Sequence, residues 1–198
     1  MAHSPLSREE FIAAELNASA QTKTQIAVAC RQEISRAVDA CLGALRQGKK
    51  ILLCGNGGSA ADSQHLATEF VIRMDPKISR PGIPAIALTT DSSMLTAGAN
   101  DLGYTQVFAR AVEALGAEGD VLIGITTSGK SENVNLAIQK AQSKKMKTIG
   151  LLGKDGGTTK TLVDVAIIVP SNDTQRIQEG HITIGHIICA LVERELYG

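Results

Sequence analysis

The chain has 198 residues with 20 basic and 20 acidic side chains, so its formal net charge is zero, and it contains no Trp. That length suits one domain with a full core. The balanced charge leaves no electrostatic footprint for nucleic acid or an anionic membrane surface, and no apolar run reaches the roughly 20 residues of a membrane span.

The start, Met1 to Pro5, is polar and lacks the apolar centre of a leader, so no signal peptide is expected. Cys30, Cys41, Cys54 and Cys189 are scattered, with no pair at metal or redox spacing. They read as small buried hydrophobes of a cytoplasmic protein, with Cys54 alone near enough to a candidate site to be considered as a reactive thiol. Residues 8–47 read as helical. Ile26, Cys30, Ile34, Val38, Cys41, Leu42 and Leu45 recur at threes and fours, and Gly48 is a stop. The pattern leaves open whether Arg8 to Asn17 forms a separate helix or part of one longer helix.

Beyond Gly48 short apolar runs alternate with helical stretches. The runs are 51–54, 84–88, 121–125, 148–152 and 165–169, several of them nearly continuous in Val, Ile and Leu, as in strands covered on both faces. Helices are predicted near 59–74, 93–98, 104–115, 131–143 and 158–162, and a last one from about 173 to 197. Lys144-Lys145-Met146-Lys147 falls at a helix end, where cations favour the dipole. The stretch 77–84, with two prolines and a glycine, reads as a surface loop. The alternation predicts a single α/β domain around a doubly wound, five-stranded parallel sheet, preceded by N-terminal helices. Ligands of such sheets bind beyond the carboxyl ends of the strands, which brings Gly55–Ser59 and Thr126–Ser131 to one edge.

Those two loops carry the candidate chemistry. Gly55-Asn56-Gly57-Gly58-Ser59 joins a strand to a helix, a place where backbone N–H groups converge on an anion. It lacks the third glycine of a dinucleotide fingerprint. Asp62, His65 and Glu69 follow on the same helix, and the last two, four apart, share one face. They form either a solvated surface pair or part of a ligand site. The second loop, Thr126-Thr127-Ser128-Gly129-Lys130-Ser131, is not a Walker A sequence but offers four hydroxyls in six residues at a helix start. Ser128 or Ser131 alone is equally an N-cap. Lys130 either pairs with a phosphate or points into water, with water favoured. In the last helix, His181 and His186 are turned about 140° from each other, so one of the two is structural. Gly180 and Gly185 each cost roughly 1 kcal/mol against Ala inside a helix. That cost predicts a close approach by another backbone or a ligand. Asn100-Asp101 suits sugar hydroxyls, but a turn or helix cap is the better reading of that pair.

Together "GNGGSAADSQH", "AND", "TTSGKS" and "RIQEGHITIGH" resemble the sugar isomerase (SIS) domain, and within it the phosphoheptose isomerases. The resemblance covers nearly the whole chain. It implies a flavodoxin-like sheet, a homotetramer with sites at subunit interfaces, and conversion of sedoheptulose 7-phosphate to D-glycero-D-manno-heptose 7-phosphate, the first step toward bacterial heptose. Asn56, Gly57, Gly58 and Ser59 match the first substrate loop, Asn100 and Asp101 a sugar-contacting pair, and Thr126, Thr127, Ser128 and Ser131 the phosphate loop. Glu69 matches the catalytic base and His186 the catalytic acid, while Gln178 matches a substrate contact. His65, Glu69, Gln178 and His186 match a zinc site of some members. Thr126 stands where many members have Ser, and Gly180 and Gly185 where larger residues are common, which bears on subunit packing. The competing expectation is a relative that binds the replication initiator DnaA as a non-catalytic tetramer. The presence of Asp62, Glu69 and His186 favours the enzyme.

Overall fold

A computed structural model describes residues 6–198. The polar start Met1 to Pro5 lies outside the described residues.

Helix α1 (Arg8–Ala29) opens on a capping box: Ser7 Oγ accepts from the Glu10 amide at 3.3 Å while the Ser7 amide donates to Glu10 Oε2 at 2.8 Å. It runs unbroken through Asn17. The break comes at Cys30, whose φ of −111° and ψ of −1° turn the chain into α2 (Arg31–Leu45). α2 buries Ile34, Val38, Cys41 and Leu42, one helical face at spacings of three and four. α1 buries only Thr22 and Ile26 of its 22 residues.

The core alternates strand and helix as β1 (Ile51–Gly55), α3 (Gly58–Val71), β2 (Ala85–Ala87), α4 (Ser92–Leu102), α5 (Val107–Leu115), β3 (Val121–Thr126), α6 (Glu132–Ser143), β4 (Lys147–Gly153), β5 (Val165–Val169) and α7 (Thr174–Tyr197). All strand pairs are parallel, in the order β2-β1-β3-β4-β5. Side-chain alternation splits the core in two. Ile51, Leu53, Ile123, Ile125, Ile149 and Leu151 face α2, α3 and α7, whereas Leu52, Cys54 and Leu122 face α5 and α6. The expected doubly wound sheet is therefore present, with strands buried on both faces because helices cover both.

Some elements are shorter than their periodicity implied. The stretch 104–115 begins as a 3₁₀ turn, Tyr104–Gln106, before α5. The helix expected at 158–162 is only a 3₁₀ turn, Thr159–Thr161, after Gly156 and Gly157 take positive φ. The chain leaves β1 toward β2 on one side and later pairs β3 on the other. β1 and β3 thus flank the topological switch point, where a crevice opens beyond the strand ends.

Candidate active site

Both candidate loops leave the sheet at this crevice. A Cβ on Gly55, the last residue of β1, would lie 2.7 Å from Ser59 Cβ and 2.9 Å from the Ile125 carbonyl oxygen. Only glycine lets α3 start so close to β3. Gly57 then turns with φ +55° and ψ −120°, a conformation that glycine alone adopts readily. Asn56, between them, exchanges amide hydrogen bonds with Asn133 in the first turn of α6, and its Oδ1 also accepts from the Tyr104 hydroxyl at 3.1 Å. Asn133 is buried. Neither Asn133 nor Tyr104 stood out in the sequence. A polar side chain two residues past Ser131, inside a helix start that faces the sheet, was the available clue.

Neither serine of the second loop caps α6 with its side chain. Ser131 is the N-cap residue of α6 but makes no side-chain cap. Its hydroxyl lies 2.9 Å from Thr126 Oγ1, which is also 3.4 Å from Ser128 Oγ. Ser128 Oγ accepts from the Lys130 amide at 3.2 Å. Three hydroxyls thus form one cluster at the N-terminus of α6, aligned with a helix dipole that favours an anion. The loop is braced from behind. The Gly129 carbonyl accepts from the Thr159 amide (3.0 Å) and hydroxyl (2.8 Å), and Gly129 has φ +63°. Lys130 is exposed.

α3 and α7 both follow strands of the parallel sheet and run side by side. Their contact is close at Gly185, where a Cβ would lie 2.5 Å from both Leu66 δ-carbons. At Gly180 it would meet Ile26 and Val169, each at 2.9 Å. The close approach predicted for these glycines is made by side chains of the same chain, not by a backbone or a ligand. The consequence one residue past Gly185 is that His186 Nε2 comes within 2.7 Å of His65 Nε2. Glu69 Oε1 lies 3.4 Å from His65 Nε2, and one donor atom from each of His65, Glu69 and His186 falls within 4.8 Å of the others. The two helices therefore bring a carboxylate and two imidazoles to one point at the protein surface.

His181 is the structural histidine. It is fully buried, its Nε2 lies 2.9 Å from the Leu152 carbonyl oxygen, and burial lowers its pKa to about 4 against the opposing effect of that hydrogen bond. Gln178 lies across Gly58, at a position where even a Cβ would collide with it, and donates to Asp62 Oδ2 at 3.4 Å. Burial raises the Asp62 carboxyl above its ordinary range, while the Gln178 amide and the neighbouring His65 pull the other way. Asn100 and Asp101 sit in the last turn of α4, exposed, joined to each other at 2.8 Å. They form neither the turn nor the cap read from their residue types. Cys54 is fully buried with its pKa pushed up to about 12, which excludes a reactive thiol there. Among the described residues, no helix is long and apolar enough to cross a membrane.

Comparison with known proteins places the chain in a family. The profile of the SIS domain matches residues 16–153. The phosphoheptose isomerase of Clostridium acetobutylicum is 52% identical over 192 residues, covering 96% of this chain and 97% of that protein. The structure of the phosphoheptose isomerase of Neisseria gonorrhoeae superposes with a TM-score of 0.89 at 40% identity, over 95% of this chain and 100% of that one. That of Francisella tularensis superposes with a TM-score of 0.91 at 37% identity, over 96% and 100%.

Proposed function

The chain belongs to the SIS domain family, and we propose that within it this protein isomerises sedoheptulose 7-phosphate to D-glycero-D-manno-heptose 7-phosphate, the first step of bacterial heptose synthesis. It is a heptose-phosphate isomerase of the aldose–ketose type. The observation that carries this reading is the meeting of Glu69 from α3 and His186 from α7, a carboxylate and an imidazole brought together from different helices.

The reaction moves hydrogen between adjacent carbons. Glu69, as general base, takes a proton from carbon 1 of the ketose while His186 gives one to the oxygen on carbon 2, leaving an enediol. The protonated Glu69 then returns its proton to carbon 2, and the now neutral His186 takes the hydroxyl proton from the oxygen on carbon 1. The aldehyde forms there and both side chains are restored. The phosphate, on carbon 7, is far from this exchange. Its binding to Thr126, Thr127, Ser128 and Ser131 and the start of α6 holds the sugar in place without touching the reacting carbons. Asn56, Gly57, Gly58 and Ser59 hold the sugar end nearer α3. Gln178 contacts the substrate beside them, and Asn100 and Asp101 meet its hydroxyls from α4.

The donor set also fits a zinc ion. Two imidazole nitrogens and a carboxylate oxygen within 4.8 Å of one another are the ligand types that zinc selects. His65, Glu69 and His186 would hold it, with Gln178 as the fourth residue implied by the resemblance, and Glu69 would then act as base through the carboxylate oxygen left off the metal. Bound there, a metal would supply positive charge that polarises the sugar oxygens. The assembly in this proposal is a cytoplasmic homotetramer with sites at subunit interfaces. Its support is α1, which leaves Phe11, Ile12, Leu16 and Val28 exposed.

The direct test incubates purified protein with sedoheptulose 7-phosphate and with hexulose and pentulose phosphates and follows aldose formation. Turnover confined to the seven-carbon substrate is expected. No isomerisation of any of them would remove the proposal.

A further inference from the structure

The loop between α3 and β2 holds an arginine whose bonds converge on the helix that carries Glu69. Arg80 Nη2 donates to the Glu69 carbonyl at 3.0 Å and Nη1 to the Phe70 carbonyl at 2.8 Å. These carbonyls belong to the last turn of α3, where no intrahelical N–H remains to meet them. Arg80 Nε donates to Glu193 Oε1 at 2.7 Å. Glu193 lies on α7, seven residues after His186, which is two turns along the same face to within about 20°. Its carboxylate also accepts from the Met74 amide at 3.0 Å and the Asp75 amide at 2.7 Å. Both side chains of the pair are 1% exposed.

One buried ion pair therefore ties the end of the base-bearing helix to the acid-bearing helix, two turns beyond His186. Stability alone does not call for charges here. Burying two of them is expensive, and apolar side chains of similar volume often stabilise as well or better. What an apolar pair cannot supply is the fork of N–H donors that holds the Glu69 and Phe70 carbonyls. We propose that Arg80 and Glu193 are positioning residues that set the spacing between Glu69 and His186. The proposal rests on the reading of those two as base and acid.

The test uses the full chain with the double substitution Arg80→Met/Glu193→Leu, which removes both charges, and the milder Glu193→Gln. Both positioning variants are expected to lower kcat about tenfold or more with KM changed less than about threefold, because the phosphate loop is untouched, and the double variant is expected also to melt several degrees lower, because the Glu69 carbonyl and the Met74 and Asp75 amides lose their partners. Arg80→Lys, which keeps the charge but not the fork, is expected not to rescue kcat. A folded double variant, or Glu193→Gln should the double variant not fold, that turns over within twofold of the parent overturns the proposal. A crystal structure of the same variant reads the spacing independently of chemistry. Glu69 and His186 are expected to shift by about 1 Å, and their staying in place overturns the proposal whatever Glu69 does. A displaced Glu69 together with a fully active Glu69→Gln would instead indict the reading of the base.

Discussion

Asn56 and Asn133 face each other across the crevice beyond β1 and β3 and exchange two amide hydrogen bonds, 2.9 Å from Asn56 Nδ2 and 2.8 Å from Asn133 Nδ2. This pair joins the loop that opens α3 to the helix that opens behind the hydroxyl cluster. The two halves of the proposed substrate site are thereby held at one separation. The pair is buried on the Asn133 side, so neither partner exchanges freely with water.

Asn133→Ala is accordingly expected to leave the Asn56 amide short of a partner, at a cost of about 1–3 kcal/mol. In a chain of this size that lowers the melting temperature by several degrees. KM for the sugar phosphate should rise about tenfold. Kinetics and thermal melts together check this, and an unchanged KM would show that the two loops hold their separation without the pair.

Glu69→Gln keeps the side chain's shape and removes its basicity. Turnover should fall by roughly 10²–10⁴, the usual contribution of a positioned base, while substrate binding measured by calorimetry stays near that of the parent. Near-parent isomerisation would take Glu69 out of the chemistry.

Zinc is expected at about one ion per chain by elemental analysis of protein purified without chelator. Dialysis against a strong chelator should remove it, lower the melting temperature and reduce turnover, and added zinc should restore both. Metal-free protein with full activity and an unmoved melting curve would exclude the ion.

Gly185→Ala tests the contact that brings α3 and α7 together. The helix gains about 1 kcal/mol in propensity, but the new methyl meets Leu66 at 2.5 Å, and overpacking costs about 1–3 kcal/mol. The net expectation is a small loss of stability and a kcat about tenfold lower, since His186 is the next residue. A more stable and fully active variant would mean that Leu66 yields and the spacing is set elsewhere.

His181 gives the stability curve a defined slope in acid. Its folded pKa is lowered from 6.5 to about 4, so between those values the unfolded chain binds a proton that the folded chain does not. Stability from this residue is complete above about pH 6.5, is lost as pH falls toward 4, and changes no further below that. The full loss is roughly 3 kcal/mol. Urea titrations at pH 7 and pH 5 should show most of the drop from pH 7, and His181→Gln should flatten it.

Much of the fold was legible in the chain. Ile51-Leu52-Leu53-Cys54 and the run from Val121 to Ile125 announce strands covered on both faces because each residue, whichever way it points, is apolar or small. Periodicity failed where backbone chemistry overrode it, as at 158–162, where two preceding glycines at positive φ leave room for only a 3₁₀ turn. The two loops were legible as well, since glycines and hydroxyls at strand ends act through their own backbone and neighbours.

By itself the sequence determined most of the elements, the glycine and hydroxyl character of the two loops, and the sharing of one helical face by His65 and Glu69. These are local properties, set by spacings of one to four residues. It also determined that His181 and His186 point differently, but not which of them meets His65. Only the packed structure decided that, by seating Gly180 against Ile26 and Val169 and Gly185 against Leu66, which fixes the rotation of α7. The same is true of Asn56 with Asn133 and of Arg80 with Glu193, partners 77 and 113 residues apart. Their meeting depends on how helices rest on a sheet, and the free energy that selects one rotation or one pairing comes from burial and hydrogen bonding across the fold, which no local pattern contains.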